Sequence, residues 1–187
     1  MPPLLSKYAR QKRTLTILPY IQGDVLDLGC GVSSIPKYLQ PDSKYVGVEI
    51  NPNFNKWLKH NYPRHTFYQW DLETDKLLLN SQFDTVLMIA VLEHLRNPDN
   101  VMKQIPALLK PDGKLVMTTP TPLGGNIHAI GARFGLFYKE VADQHEGFYN
   151  RNKISMLLSK YCLEITYFGL FLSGVNQLVV CKERSIM

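Results

Sequence analysis

Gly29 and Gly31 stand either side of Cys30, directly after the apolar run Val25-Leu26-Asp27-Leu28. Glycine at both places permits a left-handed backbone and removes Cβ from the approach side, so a ligand can lie against bare amides. Glu49 closes a second apolar run, Tyr45–Val48, at the spacing that carries an acid to the adjacent strand end of a βαβ unit. A carboxylate there accepts from both hydroxyls of a ribose. Asp71 follows a third run, His65–Trp70; it either accepts from the exocyclic amine of an adenine or caps a short helix beginning near Leu72. Further on come Glu93-His94 and His145-Glu146-Gly147-Phe148-Tyr149. His94 and His145 are candidate general bases, and His94 can equally be a structural hydrogen-bonding histidine. Glu93 can hold an amine or pair with a base, and Phe148 and Tyr149 can wall a substrate.

These residues need strand ends to bring them together, and the chain supplies strands in order. Between proline stops, residues 1–19 hold a helical segment whose apolar face is Leu4, Leu5, Tyr8, Leu15 and Leu18. It can cover the sheet, or close over a ligand with Tyr8 or Arg13 reaching a carboxylate. Strands are expected at 24–28, 45–49, 65–70, 83–90 and 114–119, with a helix from Ser33 to Leu39 aiming its N-terminal amides at the glycine turn. Asn51-Pro52 starts another helix, with Phe54, Trp57 and Leu58 inward. A third opens at Asn97-Pro98-Asp99, and Pro106 should kink or split it. Lys110-Pro111-Asp112-Gly113 is a turn in which glycine can take positive φ. From Pro120 the alternation stops, and residues 121–150 read as a lid or substrate-binding insert. Asn150 then caps a helix with Ile154, Leu157 and Leu158 inward, and strands near 163–168 and 177–182 meet around Ser173-Gly174. The order predicts an α/β, Rossmann-like, doubly wound fold: about seven strands, mainly parallel, ending in an antiparallel hairpin, in one domain spanning residues 1–187.

The 187 residues contain 45% hydrophobic and 20% charged side chains, a globular balance that excludes a disordered chain. No apolar stretch reaches the roughly 18 residues of a membrane span, and the start does not read as a secretory signal. Three cysteines without a CxxC suggest neither a disulfide framework nor a metal site, so a cytoplasmic setting is expected. The net charge of +5 comes largely from Lys7, Arg10, Lys12 and Arg13, ahead of the first acid. The remainder is nearly neutral with no basic stripe, which disfavours nucleic acid as a partner.

Val25 to Gly31, Val46-Gly47-Val48-Glu49, Asp71, Phe83 through Leu92-Glu93-His94, and Leu109 to Gly113 together resemble the class I S-adenosylmethionine-dependent methyltransferases. The resemblance is strong over residues 20–120, and within the class it is nearest the branch acting on small molecules and quinone precursors. A nicotinamide site needs a third glycine to pack helix and strand around a pyrophosphate, and this chain has Gly29-Cys30-Gly31-Val32-Ser33-Ser34. The class often has a glycine where Ser33 stands. The resemblance implies S-adenosylmethionine as cofactor and S-adenosylhomocysteine as product. It implies that Gly29, Cys30 and Gly31 lie against the methionine part, Glu49 on the ribose, Ile50 against the ring, and Asp71 with Leu72 at the adenine. Ala90 would face the methionine amino group, and Asp27 would orient the loop. It also implies methyl transfer to a small-molecule acceptor. The alternatives are methylation of RNA or protein, for which the basic arm is the only support, or a non-catalytic cofactor-binding partner. The acceptor atom and the oligomeric state are left open.

Overall fold

The computed structural model describes residues 4–124 and 149–184. Helix α1 (Leu4–Ile17) leads through a 3-10 turn, Leu18–Tyr20, into β1 (Val25–Leu28). Then follow β2 (Tyr45–Val48), α2 (Pro52–Asn61), β3 (Thr66–Tyr68), β4 (Phe83–Ile89), α3 (Asp99–Met102), α4 (Ile105–Leu108) and β5 (Leu109–Pro120). Last come α5 (Arg151–Ser159), β6 (Leu163–Phe171) and β7 (Asn176–Glu183).

The seven strands form one sheet in the order β3-β2-β1-β4-β5-β7-β6. The first five are parallel, while β7 runs antiparallel to β5 and β6 antiparallel to β7. The fold is thus the mainly parallel, Rossmann-like sheet with a terminal hairpin that the element order predicts. Alternate residues of the central strands divide between two apolar clusters, one on each face. Leu26, Leu28, Val86, Met88, Leu115 and Met117 belong to one, and Val25, Leu87 and Val116 to the other. Such strands, covered on both sides, account for the near-continuous apolar runs in the sequence.

Local chemistry explains several boundaries. Asn51 accepts from the amides of Asn53 and Phe54 at the start of α2, and Asn150 accepts from Lys153 at the start of α5. Pro106 splits the expected helix into α3 and α4, as a missing N–H requires. Among the described residues no helix is long and apolar enough to cross a membrane.

Four expectations are corrected. The segment after β1 is one 3-10 turn, Ile35–Tyr38, without a side-chain cap; Pro36 removes a donor and Pro41 stops propagation, so no helix dipole faces the glycine turn. The inward side of α1 carries Ile17, fully buried, while Tyr8 and Leu15 are exposed. The inward side of α2 carries Asn55 and Leu58, leaving Phe54 and Trp57 exposed. Asn55 is drawn in because its side-chain amide donates to the carbonyls of Glu49 and Tyr68, joining the ends of β2 and β3. In the excursion within β5 it is Asp112, not Gly113, that takes positive φ, 62°; aspartate tolerates this region better than most residues. Leu4 and Leu5 lie outside the described side chains, and the 125–148 part of the expected insert lies outside the described residues.

Candidate functional site

The glycine turn hangs from the end of β2. Gly29 and Cys30 both donate backbone N–H to the carbonyl of Val48, at 2.8 and 3.0 Å. Both glycines have positive φ, 68° and 53°, but for different reasons. A Cβ on Gly29 would lie 2.6 Å from Val91 Cγ2, so that glycine is demanded by the protein's own packing. A Cβ on Gly31 would meet nothing within 4 Å. Gly31 therefore presents bare backbone to open space.

Glu49, buried at the end of β2, is tied to that backbone. Its Oε2 accepts from Gly31 N–H at 2.8 Å, and its Oε1 accepts from Asn51 N–H at 2.8 Å. A carboxylate accepts about four hydrogen bonds, so each oxygen keeps one acceptor position beyond its amide. Asp27 lies beneath the turn. Its Oδ2 accepts from the Tyr45 hydroxyl at 2.6 Å and from Ser33 Oγ at 3.1 Å, and Ser33 Oγ accepts in turn from Ile35 N–H. Burial pushes the Asp27 carboxyl up to about 6, with the Tyr45 and Ser33 hydrogen bonds opposing and the Glu49 charge adding. Serine at position 33 thus braces the turn where a glycine would leave it unbraced. The Cys30 thiol is pushed up by burial and by the charges of Asp27 and Glu49, which keeps it protonated.

A cavity of about 340 Å³ opens at the carboxyl ends of β1 and β4, within the range of small-molecule sites. Its wall runs from Arg10, Arg13, Thr14 and Ile17 of α1 through Asp27 and the turn Gly29–Ile35 to Phe54, then Ile89, Ala90 and His94. Helix α1 faces it with arginine and threonine, which is why its inward side did not stand out as apolar. Burial lowers the Arg13 guanidinium pKa, with Glu93 opposing. Ala90 lines the cavity, holds φ at 57° and donates its N–H to the Thr118 carbonyl at 2.8 Å.

The structure brings Asp27, Gly29, Cys30, Gly31, Ala90 and His94 onto one cavity wall, with Glu49 bonded to its turn. Ile50 is 58% exposed beside Glu49. Asp71 and Leu72 do not line the cavity. Asp71 Oδ1 accepts from Glu73 N–H at 2.8 Å, capping a turn instead of the helix expected at Leu72, and Leu72 is buried. Glu93 is buried in a 3-10 turn, Leu92–His94, one residue from the cavity wall. Tyr149 is partly buried, and its carbonyl accepts from Gln177 Nε2 at 2.6 Å. His145 and Phe148 lie outside the described residues. The sequence reading missed Tyr45, Ser33, Phe54, Thr118 and Thr119. For the threonines a signal exists: two adjacent polar residues closing an otherwise apolar central strand.

A methyltransferase domain family matches residues 6–166. A thiol S-methyltransferase of Rattus norvegicus is 31% identical over 97 residues, 49% of this chain and 40% of that protein. A ubiquinone biosynthesis O-methyltransferase of Xanthomonas euvesicatoria pv. vesicatoria is 26% identical over 117 residues, 59% of this chain and 49% of that protein. The chain therefore spans only 40–49% of the length of these two relatives. An S-adenosylmethionine-dependent methyltransferase from Clostridium acetobutylicum superposes with a TM-score of 0.73 at 14% identity, over 94% of this chain and 92% of that one.

Proposed function

We propose, on the premise that this chain belongs to the methyltransferase domain family, that it binds S-adenosylmethionine at the ends of β1, β2 and β4 and methylates a small-molecule acceptor, releasing S-adenosylhomocysteine. The observation that carries the reading is the Glu49 carboxylate. Each of its oxygens holds one backbone amide and keeps a position free, which matches two neighbouring ribose hydroxyls, one donated to each oxygen.

The rest of the cavity suits the remainder of that cofactor. The open side of Gly31 admits a chain against the turn, the arginines of α1 suit a carboxylate, and Asp27 with the backbone at Ala90 suits an ammonium group. Ile50 and Phe54 are exposed apolar side chains, which an adenine ring would cover, with Asp71 and Leu72 at its amine edge. When bound, the cofactor supplies a methyl group already activated by a sulfonium. The residues of the chain then have to align the acceptor and exclude water, effects worth about 7–11 kcal/mol. Residues 121–150 serve as the lid of a single domain, with His94 or His145 as base and Phe148 and Tyr149 as substrate wall. The relatives named as a thiol S-methyltransferase and a ubiquinone biosynthesis O-methyltransferase support a small acceptor.

The test is titration calorimetry with S-adenosylmethionine and S-adenosylhomocysteine. Both should bind, and Glu49→Ala should weaken them at least about tenfold, or 1.4 kcal/mol. An absence of heat and of thermal shift with either compound overturns the reading.

A further inference from the structure

Tyr45 is 1% exposed within the apolar cluster on one face of the sheet, yet it carries a hydroxyl. A phenylalanine would fill the same space without the cost of burying an O–H. Tyr45 stands beside Val25 in the register of β1 and β2, and its hydroxyl reaches two residues along β1 to donate to Asp27 Oδ2 at 2.6 Å. Ser33 Oγ donates to the same oxygen at 3.1 Å. Both protein donors thus meet Oδ2, and Oδ1 takes neither. Oδ1 is not among the sealed, unmatched polar atoms of the described residues, and Asp27 lines the cavity, so Oδ1 is the oxygen that opens onto it. The register partners of Asp27 on either side, Gly47 and Leu87, have no polar side chain to offer.

A buried carboxyl with one oxygen held and the other bare accepts in one direction only. Burial raises the Tyr45 pKa, with the Asp27 charge adding, so the phenol keeps its proton and acts as a donor. At Asp27, burial and the Glu49 charge favour the neutral carboxyl, while the hydrogen bonds from Tyr45 and Ser33 favour the carboxylate. The other titratable and charged groups around it are Cys30 from the turn, His94 after β4, and Arg10 and Arg13 of α1, all on the cavity wall. Without the tyrosine, Asp27 takes up a proton more readily. A neutral carboxyl has no charge to offer an ammonium group.

Resting on the cofactor reading above, which sets the ammonium group of S-adenosylmethionine at Asp27, we infer that Tyr45 is a positioning residue: its hydroxyl, with that of Ser33, turns Asp27 Oδ1 into the cavity and keeps the carboxylate charged for that ammonium. Tyr45 itself does not line the cavity, and it acts through Asp27. The consequence is a site that weakens in acid as Asp27 is protonated, at a pH that Tyr45 sets. Cofactor binding then expels the proton. The O–H bond of the neutral Asp27 carboxyl breaks, the proton leaves to solvent, and the ammonium group pairs with the carboxylate left behind.

The experiment titrates the full chain with S-adenosylhomocysteine, which carries the same ammonium group, in calorimetry. Affinity of the parent should fall about tenfold from pH 8 to pH 5 as Asp27 is protonated. Tyr45→Phe should match the parent at pH 8 and bind about threefold or more weaker at pH 6.5, its acid limb displaced to higher pH. Ser33→Ala should displace the limb in the same direction, which keeps the assignment testable if Tyr45→Phe fails to fold. Asp27→Asn should bind weakly and show no acid limb over that range. A second probe, 5′-methylthioadenosine, has the adenosine and the thioether without the ammonium group, and it should bind the parent and Tyr45→Phe alike at every pH. A merely structural tyrosine would instead weaken both compounds by one factor throughout. An acid limb in the same place in parent and variants, or one that survives Asp27→Asn and so belongs to His94, overturns the role of Tyr45 while the cofactor reading stands. An absence of S-adenosylhomocysteine binding to the parent at every pH overturns the cofactor reading itself.

Discussion

The two ends of the central strands treat polar groups in opposite ways. At the amino end of β1 and β4 no buried polar side-chain atom among the described residues lacks a partner. Thr85 Oγ1 accepts from Gln22 N–H and donates to its carbonyl, and Asp84 accepts from Asp24 N–H. Lys110 Nζ meets Asp84 at 2.7 Å and Asp24 at 3.2 Å. At the carboxyl end, Glu93, Thr118, Thr119 and Arg13 Nε are buried without partners, and Glu49 keeps acceptor positions free. Both ends belong to the same strands, so strand chemistry does not explain the difference. A polar network that closes on itself is finished architecture, and one that stays open is completed by another molecule.

Substitutions can break that contrast, and the largest effect is expected at Gly29. Alanine there must take φ near 68° and press on Val91, at a cost of about 2–5 kcal/mol from the left-handed backbone and overpacking together. Chemical denaturation measures it. Next is Asp27. Its folded pKa, about 6 against the ordinary 3.8, means the native state holds the proton more tightly than the unfolded state. Its contribution is therefore fully present below pH 4 and is lost as pH rises through 6. Asp27→Asn should accordingly gain on the parent by up to about 3 kcal/mol between pH 4 and pH 6. A stability difference that is flat with pH would contradict this. Gly31→Ala sharpens the comparison with Gly29: with open space around its Cβ, it should cost only about 1–2 kcal/mol in stability, yet weaken cofactor binding at least about tenfold in calorimetry. The smallest effect belongs to the closed end. The hydrogen bond from Lys110 holds the Asp84 carboxyl below its ordinary range, a contribution present at neutral pH and lost as pH falls through that lowered value. Lys110→Met should lower the melting temperature slightly at pH 7, with the deficit shrinking in acid, and leave cofactor affinity untouched.

The sequence made the sheet legible because burial on both faces leaves unbroken apolar runs, and because Asn51, Asn150, Pro52 and Pro106 act locally. The turn at Gly29 and Gly31 and the acid at Glu49 were legible for the same reason, since their neighbours in space sit at fixed spacing along the chain. Helix α1 was misread because a hydrophobic pattern finds only the side that seeks an apolar partner, and this helix turns Arg13 and Thr14 to a polar cavity. The single turn after β1 was overestimated as a helix because Pro36 stands inside the short segment. The unmatched state of Glu93 and Thr119 was invisible, since it depends on which groups from four elements fail to meet. His145 and Phe148 lie outside the described residues.

Ile17, at the end of α1, shares a cluster with Leu178 and Val180 of β7. The apolar cluster that takes the end of this helix thus includes side chains made some 160 positions later, so on the ribosome that cluster is complete only after β7 has left the exit tunnel. The nascent chain can pair β1 with β2 and shape the glycine turn early. It completes that cluster only when β7 has been made, so an interrupted translation product holds the motif on an unfinished core.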